Sequence, residues 1–337
     1  MPYLPNSSGP LLALSPCGLY CPRADVYLDP WRPVNRALIT HAHSDHARPG
    51  SAQYLTHRIS VPLLHQRLAT TPKQVQALEY GEVVCINGVN FSFHPAGHVP
   101  GSAQILVEAN GERWVFSGDY KLEDDGLSTP FEPVKCDTFI SECTFGLPVF
   151  KWQPQSVVFN EIHSWWGRNV ADGYSSILCA YSLGKAQRVL ANLDPSIGKI
   201  VLHTSVARVC EALEFPLSGS CEQWRSDVRY AEPVLVLAPP SVLGSAWLKR
   251  FGAYRTGLVS GWMAIRGIKR RRGVEKGFVL SDHADFNGLG EAIVNTGAER
   301  VYLTHGYTAQ FGRWLKESHA RIGVHELQAQ YQLDVEE

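Results

Sequence analysis

Residues 41–46 read His41-Ala42-His43-Ser44-Asp45-His46, three imidazoles and a carboxylate inside six positions. Imidazole nitrogen and carboxylate oxygen together suit zinc, manganese or iron. On a regular strand these side chains would alternate between faces, and on a helix they would wind around it. Only a tight loop lets all four converge, with His41 and His43 addressing one ion and Asp45 and His46 its neighbour. A solvated polar loop is the plain alternative, but it gives no reason for imidazoles at this spacing.

Four more segments have one form, an apolar run ending in His or Asp. They end at His98 (after Phe93-His94-Pro95-Ala96-Gly97), at Asp119 (after Val115-Phe116-Ser117-Gly118), at His283 (after Val279-Leu280-Ser281-Asp282) and at His305 (after Val301-Tyr302-Leu303-Thr304). Each alone is weak, since a Gly-Asp pair is commonly just a turn. Their joint occurrence after the His41–His46 cluster points to one centre at the ends of several strands. Two divalent ions about 3.5–4 Å apart suit phosphodiester hydrolysis, because they clamp the phosphate and activate water at neutral pH.

Such a centre needs elements that deliver its ligands. Ala37-Leu38-Ile39-Thr40 is a short apolar run that stops at the His cluster, as a buried strand does at its C-terminal end. Segments 83–93 and 104–117 predict strands, with Asn110-Gly111 as a hairpin turn. Strands outnumber helices to about residue 145, and then the texture changes. A helix is expected over 156–170, a strand over 176–180, a helix over 185–193, a strand over 199–203, a helix over 205–214, a strand over 234–238, and a helix from Pro239-Pro240 to Phe251. From 277 the order is strand 277–280, helix 286–296, strand 300–304 and helix 309–322. Strands alternating with helices predict a parallel sheet.

The chain has 337 residues, 45% hydrophobic and 19% charged, so it can bury a core without metal or disulfide staples. With 31 basic and 32 acidic side chains it is not a non-specific coat for nucleic acid, although a local basic groove stays open. Eight cysteines are scattered, no apolar run reaches membrane-spanning length, and no signal peptide is recognisable at the start. A reduced, cytoplasmic protein is therefore expected.

The segments HAHSDHARPG (41–50), HPAGHVPGSAQ (94–104), FSGDY (116–120), SECTFG (141–146), YSLGKAQ (181–187), LSDHADF (280–286) and LTHGY (303–307) resemble the metallo-β-lactamase superfamily over nearly the whole chain. More narrowly they resemble its β-CASP nuclease branch, and within it the bacterial DNA-ligase-associated exonucleases. The resemblance implies an α/β chain with a four-layer αββα fold (1–150 and 277–337) and an inserted α/β β-CASP cap (151–276). It implies two divalent metal ions, zinc or manganese. His41, His43 and His98 would hold one ion, Asp45, His46 and His305 the other, and Asp119 would bridge them. Asp29 sits where the superfamily carries an Asp that orients ligands, but unusually near the His cluster. The catalytic candidates are Asp45, Glu142 and His283, with Glu142 orienting His283 toward the scissile phosphate.

The core alone does not name a substrate, because the resemblance implies that it also serves lactam, thioester and small-phosphodiester hydrolysis. Three features favour nucleic acid. The span between Glu142 and His283 exceeds what the core needs. Gly184-Lys185 opens a helix after a strand, which suits a phosphate and puts Ser182 and Lys185 among the substrate-binding candidates. The run Arg266, Lys269, Arg270, Arg271, Arg272 and Lys276 precedes His283 and suits a phosphate backbone, with a solvated loop as the plain alternative. Trp152, Trp165, Trp166, Trp247 and Trp262 are candidate stacking platforms, most of them expected in packing. DNA is expected over RNA, through the resemblance, as is an association with a DNA ligase. An RNA-processing nuclease and a small-molecule lactonase or thioesterase are the alternatives.

Overall fold

The protein is described from a computed structural model that covers residues 9–267, 271 and 273–327. Arg270 and Arg272, and Lys269 beside them, lie outside the described residues. The chain divides into two compact units, one formed by the residues up to Pro148 and again from His283, the other by Val149–Asp282.

The first unit holds two sheets. One has six strands in the order Ala13–Ser15, Gly18–Cys21, Val26–Leu28, Arg36–Ile39, Gln53–His57 and Val75–Leu78, antiparallel up to Val26–Leu28 and parallel after it. The other has seven, in the order Gly323–Glu326, Arg300–Thr304, Thr138–Glu142, Glu112–Phe116, Ala103–Ala109, Val89–Pro95 and Val83–Ile86. Its first four strands are parallel, and the rest form antiparallel hairpins. Alternation along the strands gives each sheet an apolar face. Leu28, Leu38 and Leu55 of the first sheet meet Phe91, Phe93, Ile105 and Val107 of the second. The opposite face of the second sheet carries Leu106, Val115, Phe139, Val301 and Leu303. Those residues pack under helices Phe286–Thr296 and Thr308–Ser318 through Ile293, Phe311 and Leu315. Each such fully buried side chain contributes roughly 1.5–3 kcal/mol. A short helix, Val61–Leu68, lies between the last two strands of the first sheet, Gln53–His57 and Val75–Leu78, with Leu63 and Leu64 buried.

Local chemistry explains where these elements start and stop. Asp285 caps helix Phe286–Thr296 by accepting from Gly288 N, and Gly297 ends it at φ 71°. Asn110-Gly111 takes positive φ at both positions, 53° and 83°, as a tight hairpin requires. Asn87-Gly88 does the same at 49° and 75°, splitting the expected strand 83–93 in two.

The second unit is built on a six-stranded, all-parallel sheet in the order Cys221–Gln223, Ile200–Leu202, Leu235–Ala238, Ser175–Cys179, Tyr254–Val259 and Lys276–Phe278. Helix Gln155–Ala171 packs against it through Phe159, Ile162, Trp165 and Trp166. The expected helix from Pro239 to Phe251 is instead two 3₁₀ turns, Pro240–Val242 and Ala246–Phe251. Two prolines cannot donate backbone hydrogen bonds, and Gly244 at φ 76° breaks the path between the turns. Strand Tyr254–Val259 was not expected, because Gly257 interrupts its apolar pattern. No described helix is long and apolar enough to cross a membrane.

Candidate metal centre

The parallel strand Arg36–Ile39 runs into the loop that carries His41, His43, Asp45 and His46. The turn is closed by Ala47 N donating to His43 O at 2.8 Å. Thr40, the last residue before the loop, donates N–H and Oγ1–H to Asp29, at 2.8 and 2.5 Å. The loop bearing His98 follows strand Val89–Pro95, and Ser102 Oγ there accepts from His98 N and Val99 N, both at 3.1 Å. Asp119 follows strand Glu112–Phe116. Gly118 makes this possible, because a Cβ there would stand 2.7 Å from Thr40 Cβ.

These loops converge. His43 Nδ1 lies 3.0 Å from both His41 Nε2 and His98 Nε2. Asp119 Oδ2 stands 3.5 Å from His41 Nε2, 3.3 Å from His46 Nε2 and 3.6 Å from His98 Nε2. Two groups result, His41/His43/His98/Asp119 and Asp45/His46/Asp119, each with its ligand atoms within 4.8 Å of one another and with Asp119 in common. His305, at φ 57°, stacks its ring on His46 with centroids 5.7 Å apart, outside those two closest sets.

The residues around the cluster aim its nitrogens. Asp29 Oδ2 takes His46 Nδ1 at 2.7 Å, and Thr40 Oγ1 lies 3.1 Å from His41 Nδ1, so both Nε2 atoms face inward. His46 Nε2 is buried with no hydrogen bond, its nearest acidic atoms being Asp119 Oδ2 at 3.3 Å and Asp45 Oδ2 at 3.6 Å. Burial, then the neighbouring His46 and His98, hold the His41 pKa well below the ordinary imidazole value, which leaves a neutral ring able to donate a lone pair. Burial opposes charge on His46, but Asp119, Asp45 and Asp29 outweigh it and raise that pKa. Burial likewise works against a charged Asp119, and His46 and His283 overcome it and keep the carboxylate ionised. In a tetrahedral site with bonds of about 2.0–2.1 Å, ligand atoms stand roughly 3.3 Å apart. The observed spacing, the neutral His41 and the orphaned His46 nitrogen all fit divalent metal ions.

Glu142 ends strand Thr138–Glu142, and both its oxygens meet His283 Nδ1, at 2.9 and 3.0 Å. Tyr120 N and Thr144 Oγ1 also donate to Glu142, at 2.9 and 2.5 Å. The His283 ring lies 4.6 Å from that of His98, and Asp119, Glu142 and His283 form a third close group. Thr144 and Ser102 escaped the sequence reading. A hydroxyl residue two to four positions from a chemically active one was the available signal.

In the second unit, Ser182 Oγ lies 2.9 Å from Ser205 Oγ. Lys185, expected to face a phosphate, is buried, with Nζ 3.6 Å from Asp282 and 4.7 Å from the centre of the Tyr181 ring. Arg266 and Arg271 are exposed, and Lys276 pairs with Glu161 at 3.3 Å. Trp165 and Trp166 are core residues, whereas Trp152, Trp247 and Trp262 keep an accessible face. A cavity of about 140 Å³ opens at the opposite end of strand Arg36–Ile39, lined by Arg36, Gln53, Lys73 and Gln76 among others, and shares no residue with the metal cluster.

Residues 17–178 match the family described as the metallo-beta-lactamase superfamily. The chain carries a metallo-β-lactamase domain. Residues 17–178 hold the matched domain, and its histidines and aspartates are positioned to bind metal ions. The chain is 30% identical over 305 residues to a probable DNA ligase of Opitutus terrae, across 89% of this chain and 30% of that protein. It is 30% identical over 301 residues to endoribonuclease YSH1 of Candida albicans, across 71% of this chain and 34% of that protein. The Yarrowia lipolytica YSH1 is 32% identical over 133 residues, across 38% of this chain and 15% of that protein. The chain thus spans about a third or less of these relatives. A crystal structure of a protein of unknown function from Enterococcus faecalis V583 matches at TM-score 0.59 and 11% identity, over 88% of this chain and 80% of that one, and shares the fold.

Proposed function

We propose that this metallo-β-lactamase domain is a two-metal nuclease that cleaves DNA as an exonuclease at single-stranded ends during repair. The observation that carries the reading is the shared position of Asp119 Oδ2 between two ligand groups. His41, His43 and His98 would hold one ion, Asp45, His46 and His305 the other, with Asp119 common to both. Bound there, a pair of zinc or manganese ions supplies charge neutralisation at a phosphate and a nucleophile at neutral pH.

The chain's own residues supply the rest. Glu142 accepts from His283 Nδ1 and stabilises the imidazolium, leaving Nε2–H to protonate the departing oxygen. Tyr120 N and Thr144 Oγ1 hold Glu142 against that pull. The inserted unit 149–282 is read as a β-CASP cap, with Ser182 and the exposed Arg266 and Arg271 toward the nucleic-acid backbone. Lys185 and its partner Asp282 brace the cap interior instead.

The DNA preference, and an association with a DNA ligase, are supported by a relative named as a DNA ligase that aligns with 89% of this chain. The RNA reading is supported by the relatives named as endoribonucleases. A cytoplasmic location fits eight unpaired thiols. Labelled single-stranded and duplex DNA and RNA, incubated with manganese or zinc and mapped at nucleotide resolution, test the proposal. Release of mononucleotides from single-stranded DNA ends is expected. Equal or faster RNA cleavage overturns the DNA preference, and no cleavage of any polynucleotide overturns the nuclease reading.

A further inference from the structure

Arg67 lies in the last turn of helix Val61–Leu68, outside every motif singled out in the sequence. Its Nη1 donates to Ala42 O, the carbonyl between His41 and His43. A guanidinium has five N–H donors in a fixed fork, and this one uses one of them on the loop. No carboxylate of the described residues forms an ion pair with it, although Asp45 is near enough for its charge to be felt. The residue keeps a solvent-exposed surface. Arg48, two positions beyond His46, is likewise without an ion pair among the described residues, and its buried Nε has no hydrogen-bond partner. Thus Arg67 touches the ligand loop through Ala42 O and Arg48 follows that loop in sequence, in a chain whose total charge is near zero.

Cations are ordinarily paired when they are drawn partly out of water. An unpaired guanidinium braced on a ligand-bearing loop matches an anion that arrives with the substrate. The planar fork fits two oxygens of a phosphate, a geometry that an ammonium cannot reproduce. We infer that Arg67 forms a phosphate-binding subsite for the phosphodiester next to the scissile one. This rests on the nuclease reading and deepens it: the domain would bind a polynucleotide through at least two successive phosphates, and a substrate with one phosphate would miss this contact. A purely structural role for Arg67, bracing the loop through Ala42 O, is the competing explanation.

Steady-state kinetics of the full chain separate the two. The substrates are a labelled single-stranded oligonucleotide and bis(p-nitrophenyl) phosphate, each with the wild type, Arg67→Ala and Arg67→Lys, and with metal content measured on every preparation. For Arg67→Ala, KM for the oligonucleotide is expected to rise about tenfold with kcat changed by less than about threefold. The slope of log kcat/KM against log salt should flatten by about 0.7, the value for one phosphate contact on a single strand. The loss on the oligonucleotide should exceed that on the small diester about fivefold or more. Arg67→Lys should recover the salt slope but only part of KM. An unchanged KM and salt slope overturns the subsite. Equal losses on both substrates, with metal lost in parallel, also overturn it and leave Arg67 a brace. If the wild type cleaves no oligonucleotide, the nuclease reading itself fails, a result distinct from either of these.

Discussion

Replacing Glu142 by Gln removes one charge and keeps the shape. The carboxylate now receives four donors: Tyr120 N on Oε1, Thr144 N and Oγ1 on Oε2, and His283 Nδ1 on both. A glutamine offers one oxygen and one NH₂. If the oxygen stays on Tyr120 N, the NH₂ faces Thr144, whose hydroxyl rotates to accept, and His283 Nδ1 is left with a neutral acceptor or with a donor opposite it. The charge-assisted bond to His283 is worth about 1.5–3 kcal/mol. If that energy is used when His283 donates its proton, kcat falls about 10- to 150-fold, at 1.36 kcal/mol per factor of ten. The assay compares an oligonucleotide, whose leaving oxygen needs a proton, with a p-nitrophenyl ester of a nucleotide, whose leaving phenolate does not. The expected loss is confined largely to the oligonucleotide, with metal content unchanged. An equal loss on both substrates, or none, refutes the proton-donor reasoning. Thr144→Val, which removes one clamp and no charge, should cost about tenfold or less on the oligonucleotide.

Three further outcomes follow from the geometry. Asp29→Asn weakens the bond that aims His46, so metal affinity should fall about 10- to 100-fold, as read by chelator competition. Gly306→Ala would place a Cβ 2.3 Å from Cys143 O and 2.4 Å from Thr144 Cα at φ 70°, and should cost roughly 3 kcal/mol in denaturant unfolding while displacing His305. Burial opposes a charged Asp125, but the Lys121 ammonium and the N–H groups of Ser128 and Leu127 outweigh it and depress its pKa. A depressed carboxyl pKa stabilises the fold above the unfolded value of about 3.9, and that contribution is lost as pH falls through the folded value. Asp125→Asn should therefore cost about 3 kcal/mol at pH 7, with the gap to the wild type closing as pH drops below about 4.

The centre was legible because its chemistry is concentrated. His41, His43, Asp45 and His46 share one loop, and His98 and Asp119 each end an apolar run that strand periodicity marks. Paired glycines and caps fixed other boundaries: helix Phe286–Thr296 and strand Arg300–Thr304 lie where Asp285 and Gly297 place them. What stayed hidden is non-local. Thr40 bonds Asp29 across eleven positions, and the contact exists only because strands Val26–Leu28 and Arg36–Ile39 pair in parallel. Arg67 is an ordinary helix-surface residue in the sequence, and becomes notable only when its guanidinium reaches Ala42 O. Lys185 misled for the opposite reason: a helix-opening Gly-Lys suggests a phosphate, while the fold supplies Asp282 as the counter-charge. The strand Tyr254–Val259 was lost to Gly257, whose missing side chain makes room for Phe278 and Trp165.

The most direct measurement is metal stoichiometry by mass spectrometry on protein loaded with zinc or manganese and then desalted, for the wild type and Asp119→Ala. About two ions per chain are expected in the wild type, falling to about one or fewer when the shared carboxylate is removed. A wild type that retains no more than one ion per chain, or an Asp119→Ala variant that still holds two, contradicts a centre built around Asp119.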